Sequence, residues 1–187
     1  MKKAVASVLF AVFGSIPSAL ALEGPKFTFE ATYDVTGTGG HYTMRQASDG
    51  NEHMLNETTM ADGSKSISIY DYPNKQITVF RPGTKEAMRS PMNDVGASFS
   101  FDADSMKKSG FTSLGTKEFD GHPCHGWETS AGGTKDQQWI GDDTKYLVHS
   151  VTITGPYQIT MALKQWSTQS PAASEFQIPP QYKITTP

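Results

Sequence analysis

One six-residue segment brings together the side chains of this chain that are best suited to chemistry. Gly121-His122-Pro123-Cys124-His125-Gly126 holds two imidazoles and a thiol. Such groups bind copper or zinc, and a cysteine beside a histidine can also act as a nucleophile. On a β-strand, His122 and Cys124 share one face and His125 points to the other. The spacing leaves these three residues as a candidate metal site and argues against a nucleophilic pair.

Carboxylates and glycine-rich segments form no catalytic motif in this sequence. Asp142-Asp143 is explained by turn chemistry, and Asp102 by the capping of a short helix. There is no Gly-x-Ser-x-Gly nucleophile elbow, and the glycine-rich stretch 37–40 lacks the lysine and following helix of a phosphate-binding loop. We therefore expect a protein that is not an enzyme and has no cofactor.

A more diffuse pattern indicates a surface for an apolar ligand. Methionine, aromatic and aliphatic side chains recur at alternating strand positions, and flexible methionine beside aromatic rings suits an adaptable apolar surface. A hydrophobic core would need the same side chains. The residues that we expect to line a ligand cavity are Phe29, Tyr33, Met44, Met54, Ile69, Val79, Met106, Trp139 and Met161.

Composition narrows the class of protein. A length of 187 residues fits one domain, and 17 Gly, 11 Pro and 19% charged residues favour a turn-rich β domain over a helical bundle. The formal net charge of −3 is not that of a nucleic-acid-binding surface. A single cysteine, Cys124, excludes an intramolecular disulfide and leaves that thiol buried, bound to another molecule, or reactive.

The N-terminal segment has the features of an export signal. Lys2-Lys3 precedes the apolar stretch Ala4–Leu20, and the segment ends in Ala19-Leu20-Ala21. A basic start, a short apolar region and a small-x-small ending are what signal peptidase recognises. We expect residues 1–21 to be a signal peptide cut after Ala21, and residues 22–187 to form a single periplasmic domain with no membrane span.

The elements that must position these side chains are predicted to be mainly β-strands. Apolar and polar residues alternate in about nine or ten segments, separated by Asp-Gly and Gly-Gly turn signals. The pattern breaks over 81–110, which predicts a loop and then one short helix over 101–110, begun by Asp102 and ended by Gly110. So long an antiparallel sheet should curl into an open barrel or a sandwich.

The C-terminal half resembles a known group of proteins. A Gly-Thr-Lys-Glu strand, Gly121-His122-Pro123-Cys124, a strand centred on Gln138-Trp139-Ile140, an Asp-Asp-Thr turn and a closing segment, 176–182, follow in order. Over residues 110–184 the chain is similar to an exported bacterial family of unknown function that resembles the LolA/LolB-like lipoprotein carriers. The resemblance implies a mainly β fold, an antiparallel sheet forming an open (unclosed) barrel whose concave apolar face is covered by one short helix.

These observations support a leading hypothesis and two alternatives. The leading hypothesis is a non-enzymatic periplasmic protein that binds a hydrophobic or amphipathic, lipid-like ligand in the curled sheet. The first alternative is periplasmic binding of copper or zinc by His122, Cys124 and His125. The second is a structural or partner-binding protein of the cell envelope that uses the edges of its sheet.

Overall fold

The computed structural model describes residues 23–92 and 101–186, which form twelve strands, one α-helix and one 3-10 turn. The predicted signal peptide and residues 93–100 of the predicted loop lie outside the described residues. The elements are β1 (Thr28–Gly37), β2 (Gly40–Asp49), β3 (His53–Met60), β4 (Lys65–Asp71), β5 (Gln76–Phe80), β6 (Glu86–Pro91), α1 (Ala103–Lys108), β7 (Thr112–Phe119), β8 (His122–Ala131), β9 (Thr134–Gly141), β10 (Leu147–Thr154), β11 (Tyr157–Ser167), the 3-10 turn (Ala173–Phe176) and β12 (Lys183–Thr185).

All twelve strands belong to one sheet, in the order β12-β6-β5-β4-β3-β2-β1-β11-β10-β9-β8-β7. Strands β1–β6 form one antiparallel meander and β7–β11 form another, and the pairing of β1 with β11 joins the two. Strand β12 runs parallel to β6, while the sheet stays open with β7 and β12 at its ends. The predicted mainly β, unclosed antiparallel architecture is confirmed.

The helix α1 is short and capped as the sequence predicts. The Asp102 carboxylate accepts hydrogen bonds from the backbone N–H groups of Asp104 and Ser105, both at 3.0 Å. The helix is shorter than the predicted 101–110, because it begins at Ala103 and ends at Lys108. Because six residues cannot form a stable helix alone, α1 depends on packing through its buried side chain, Met106.

One face of the sheet carries α1. The helix packs on Ile140, which lies two residues beyond Gln138 on β9. Gln138 pairs with Ser150, Ser150 with Met161, and Met161 with Val35. Since directly paired residues point to the same side of a sheet, all five share one face, which we call the helix face.

The opposite face, which we call the tail face, is covered by the C-terminal segment that follows β11, the tail. On β2 to β6 this face buries Ala47, Leu55, Ile69, Phe80 and Ala87, against which Phe176, Ile178 and Tyr182 pack. Arg45 forms ion pairs with Glu30 of β1 at 2.8 Å and with Glu175 of the tail at 2.7 Å. The second ion pair anchors the tail to β2. The tail thus closes this face of the first meander.

The predicted turn chemistry is present at Asp120-Gly121. Both residues have positive φ, 48° and 86°, as the two central positions of a tight right-twisted hairpin require. Asp and Gly tolerate this backbone region better than most residues. The turn places β7 beside β8 and orients the histidines that follow.

Two strands were not expected from the sequence. The prediction of a loop from Arg81 was wrong over Glu86–Pro91, which forms β6, and Lys183–Thr185 forms β12. Strand β6 has one fully buried apolar side chain, Ala87, and ends in proline, so its sequence lacks clear alternation. Pairing with β5 supplies the order that local pattern does not.

Candidate functional site

The floor of the helix face is a group of stacked aromatic rings. The Phe29 ring lies 4.4 Å from that of Tyr146 and 5.5 Å from that of Trp166, measured between centroids. Phe101, just before α1, meets Tyr146 edge-on at 5.5 Å. The segment that leads into the helix therefore packs directly on the floor of this face.

Tyrosine hydroxyls within this floor are paired. The Tyr146 hydroxyl donates to Oε1 of Gln46 at 3.1 Å, and the Tyr33 hydroxyl donates to the carbonyl of Leu147 at 2.9 Å. Burial raises the pKa of both hydroxyls, so both stay neutral donors. These bonds connect β1 and β2 to the start of β10.

Partly exposed apolar side chains, which we call the apolar strip, lie on the same face and are interrupted by polar residues of β3 and β4. Met60 is 37% exposed and pairs with the half-buried Tyr42. Met88 is 50% exposed and pairs with the half-buried Val79. Other half-buried members are Met44, Ile77 and Ile159. The strip offers methionine and aliphatic surface that the described packing does not fully bury.

Polar groups interrupt the apolar surface on β9 and β10. The Asp136 carboxylate accepts from the Thr152 hydroxyl and from the Gln138 amide, both at 2.7 Å. Burial raises the pKa of Asp136, and these two hydrogen bonds offset only part of that effect. Removal of this carboxyl from water therefore disfavours its charged form.

The pH dependence of stability should carry the signature of Asp136. An acid whose pKa is higher folded than unfolded stabilises the protein at low pH, and this contribution is lost as pH rises from its ordinary value of 3.8 through the folded value. We expect the free energy of unfolding of the wild type, relative to Asp136→Asn, to fall over that range and then level off. Urea unfolding from below pH 3.8 to neutrality measures this; a constant difference between the two proteins would contradict it.

A second polar position lies on β3 at Asn56. Asn56 shares the helix face because it pairs with Gln46 and with Ser68. Its side-chain Oδ1 is buried and has no hydrogen-bond partner among residues 23–92 and 101–186. Burial raises the pKa of the Tyr70 hydroxyl, and a hydrogen bond from the Asn56 side chain partly offsets this, which places the amide beside that ring. A free acceptor of this kind is uncommon in a folded interior.

Most of the residues predicted to line a cavity lie on one face. Phe29, Tyr33, Met44, Met54, Val79 and Met161 share the helix face through their register, and Met106 points at this face from α1. The structure therefore places these residues on the same face of the sheet. Their contact with a ligand stays a prediction.

Ile69 lies apart from this group, on the tail face. Ile69 pairs with Leu55, whereas the neighbouring Tyr70 pairs with Met54 on the helix face. Ile69 is buried under the tail, beside Phe80. Alternation gave the right period for β4, but it did not show which of the two faces the tail would cover.

Trp139 also lies on the tail face. It pairs with Gly126 and His149, while its neighbour Gln138 faces the other way. A Cβ atom on Gly126 would come within 2.5 Å of the indole, so the ring lies across that glycine. Phe119 packs against the indole at 5.2 Å. The Trp139 side chain is therefore a packing element of β7–β10 rather than part of the helix face.

The candidate metal residues form separate pairs. His122 Nδ1 lies 2.7 Å from Asp143 and His125 Nδ1 lies 2.8 Å from Asp142. Cys124 is buried, and burial raises the pKa of its thiol to about 11. Over residues 23–92 and 101–186, no three His, Cys, Asp or Glu side chains are grouped so as to hold a metal ion. The strand geometry separates His125 from the other two as expected.

Sequence reasoning missed Tyr146, Trp166, Asn56 and Asp136. Tyr146 follows a turn and Trp166 lies beyond the regular alternation of β11, where register shifts disturb the pattern. Polar residues within an alternating strand normally face water, so neither Asn56 nor Asp136 stood out. An aromatic residue just after the Asp-Asp-Thr turn was the one local signal available for Tyr146.

Comparison with known proteins gives likenesses of fold. No protein-family model matches the chain, and no curated protein matches it in sequence. An uncharacterised conserved protein from Thermus thermophilus superposes with a TM-score of 0.66 at 8% identity, over 87% of this chain and 91% of that one. PNGF-II gives 0.52 at 14% identity, over 86% of this chain and 31% of that one.

MucB is also among the structural neighbours, with a TM-score of 0.44 at 16% identity, over 86% of this chain and 60% of that one. The likeness is one of fold. Within the described residues, no helix is long and apolar enough to cross a bilayer.

Proposed function

We propose that this protein is a non-enzymatic binding protein for a hydrophobic or amphipathic, lipid-like molecule, held on the helix face. The observation that carries the proposal is the apolar strip on that face, where Met60 and Met88 stay 37% and 50% exposed. Apolar side chains gathered on one face, rather than scattered, are typical of interaction sites. Methionine suits such a site because its side chain adapts to ligands of different shape.

The contrast between the two faces supports the proposal. On the first meander the tail face is closed by Phe176, Ile178 and Tyr182. The helix face of the same strands buries Phe29 and Met54, but it leaves Val79 and Tyr42 half-buried. Full burial of these side chains would add stability, so their partial exposure favours a binding surface.

The position of α1 supports it further. Met106 fixes the helix on Trp127 and Ile140, and Phe101 connects it to the aromatic floor. Six helical residues held by so few apolar contacts can shift at low cost. The helix would then lie at one side of a bound acyl chain.

Binding of an uncharged fluorescent probe, N-phenyl-1-naphthylamine, tests the proposal. Met60 is 37% exposed on the helix face, and Ile153 is 36% exposed on the tail face, so they form a matched pair. We expect Met60→Asp to weaken probe binding about tenfold or more, since a carboxylate in an apolar site must be desolvated. Ile153→Asp should leave binding unchanged. No binding by the wild type, or equal loss in both variants, would overturn the proposal.

We further propose that the protein acts in the periplasm after removal of residues 1–21. The basic start, the apolar stretch and the Ala19-Leu20-Ala21 ending support this. N-terminal sequencing of protein from a periplasmic fraction tests it, with Leu22 as the expected first residue.

A further inference from the structure

Resting on the proposed function, we infer that the bound amphiphile has an uncharged polar end that donates a hydrogen bond, such as a hydroxyl or a primary amide, and that anionic amphiphiles are excluded. The charge inventory of the helix face and the unpartnered acceptor of Asn56 carry this inference independently of each other.

On strands β1–β5 and β9–β11, the helix face presents no lysine or arginine to an anion. On strands β1–β5 and β9–β11, all within the described part of the chain, the register assigns one charged side chain to this face, that of Asp136. The lysines and arginine of these strands lie on the tail face: Arg45, Lys65, Lys135 and Lys164. Each is held there by a carboxylate.

A carboxylate or phosphate held over these strands, beside Asn56, would therefore lose its hydration without gaining a counter-charge. Desolvation of an unpaired anion in an apolar site is far more costly than that of a hydroxyl or an amide. The carboxyl of Asp136 would add repulsion if ionised. These strands thus disfavour anionic ligands because they present no lysine or arginine on the helix face.

Asn56 supplies the attractive half of the specificity. Its Oδ1 accepts no hydrogen bond from any described residue, although the atom is buried. The adjacent acceptor, Oε1 of Gln46, is already engaged by the Tyr146 hydroxyl. Once the half-buried Asn56 side chain turns toward the ligand, a ligand hydroxyl or amide N–H would donate to its Oδ1. The alkyl chain would then run over the apolar side chains that include Val79 and Met44.

Displacement of N-phenyl-1-naphthylamine by matched amphiphiles at pH 8 tests the inference. The set is dodecanol, methyl dodecanoate, dodecanoate and dodecylamine, which share a chain length and differ in the polar end. We expect dodecanol to bind about tenfold more tightly than the ester, which cannot donate, and than the anion. Equal or tighter binding of dodecanoate would overturn the inference, and tighter binding of dodecylamine would overturn the assignment of an uncharged end.

The variant Asn56→Leu separates the acceptor from the apolar surface. We expect it to reduce the advantage of dodecanol over the ester to about twofold or less, with binding of the ester retained as evidence of an intact fold. An undiminished advantage would remove Asn56 from the argument. If the probe binds and all four amphiphiles compete equally, this inference fails alone; if neither probe nor amphiphile binds, the proposed function fails with it.

Discussion

Replacement of Phe29 by alanine is expected to lower the free energy of unfolding by about 3–5 kcal/mol. Phe29 is completely buried, and its ring contacts those of Tyr146 and Trp166, which come from the other meander. Truncation would leave a cavity at the junction of the two halves, where neighbouring rings cannot collapse freely. Urea unfolding followed by tryptophan fluorescence measures the loss, and Phe29→Leu, with a smaller loss, keeps the comparison possible if the alanine variant does not fold.

The nearby Phe27 provides the control for this experiment. It lies two residues before Phe29, and the centroids of the two phenylalanine rings are 5.4 Å apart. Phe27 is nevertheless 37% exposed. Because part of its surface is already in water, Phe27→Ala should cost less than about 2 kcal/mol. Equal losses for the two variants would show that burial at the junction is not what stabilises the pairing of β1 with β11.

Removal of residues 171–187 is the second change with a large expected effect. It would expose Leu55, Ile69 and Phe80, which the tail covers, and would break the ion pair of Arg45 with Glu175. Burial of three large apolar side chains is worth several kcal/mol, so we expect a loss of roughly 3 kcal/mol or more. Urea unfolding measures the loss, and binding of a hydrophobic dye should rise with the newly exposed patch.

A shorter truncation separates the apolar cover from the added strand. Removal of residues 183–187 deletes β12 but keeps Phe176, Ile178 and Tyr182 on the tail face. We expect a much smaller loss, because β12 contributes three residues at one end of the sheet. If the short truncation is as destabilising as the long one, edge pairing rather than apolar cover holds the tail.

The regular strands and the helix could be predicted from local pattern. The alternation in β1, from Phe29 to Val35, matches four fully buried side chains at every second position. The cap at Asp102 and the Asp120-Gly121 turn follow from side-chain and backbone preferences that act within a few residues. Strand β6 could not be predicted in this way, because its order comes from pairing with β5 rather than from its own pattern.

The candidate site was predictable in part. Phe29, Tyr33 and Met161 were expected to share a surface, and they share the helix face. Asn56 could not be found from sequence, because its significance is an absent hydrogen bond, which depends on what surrounds it in three dimensions. The metal hypothesis gained no support. His125 and Cys124 are neighbours on β8, so their side chains point to opposite faces of the sheet, as alternation predicts.

The sequence by itself determined the period of the regular strands, the tight turns between them and the single cysteine that excludes an internal disulfide. Tertiary structure alone decided which of the two faces each strand gave to the tail and which to the helix. Ile69 and Trp139 illustrate the reason. Alternation shows that neighbouring side chains point to opposite faces, but it does not show which segment of the protein covers each face. The segments that cover each face are distant in sequence, and only folding brings them there.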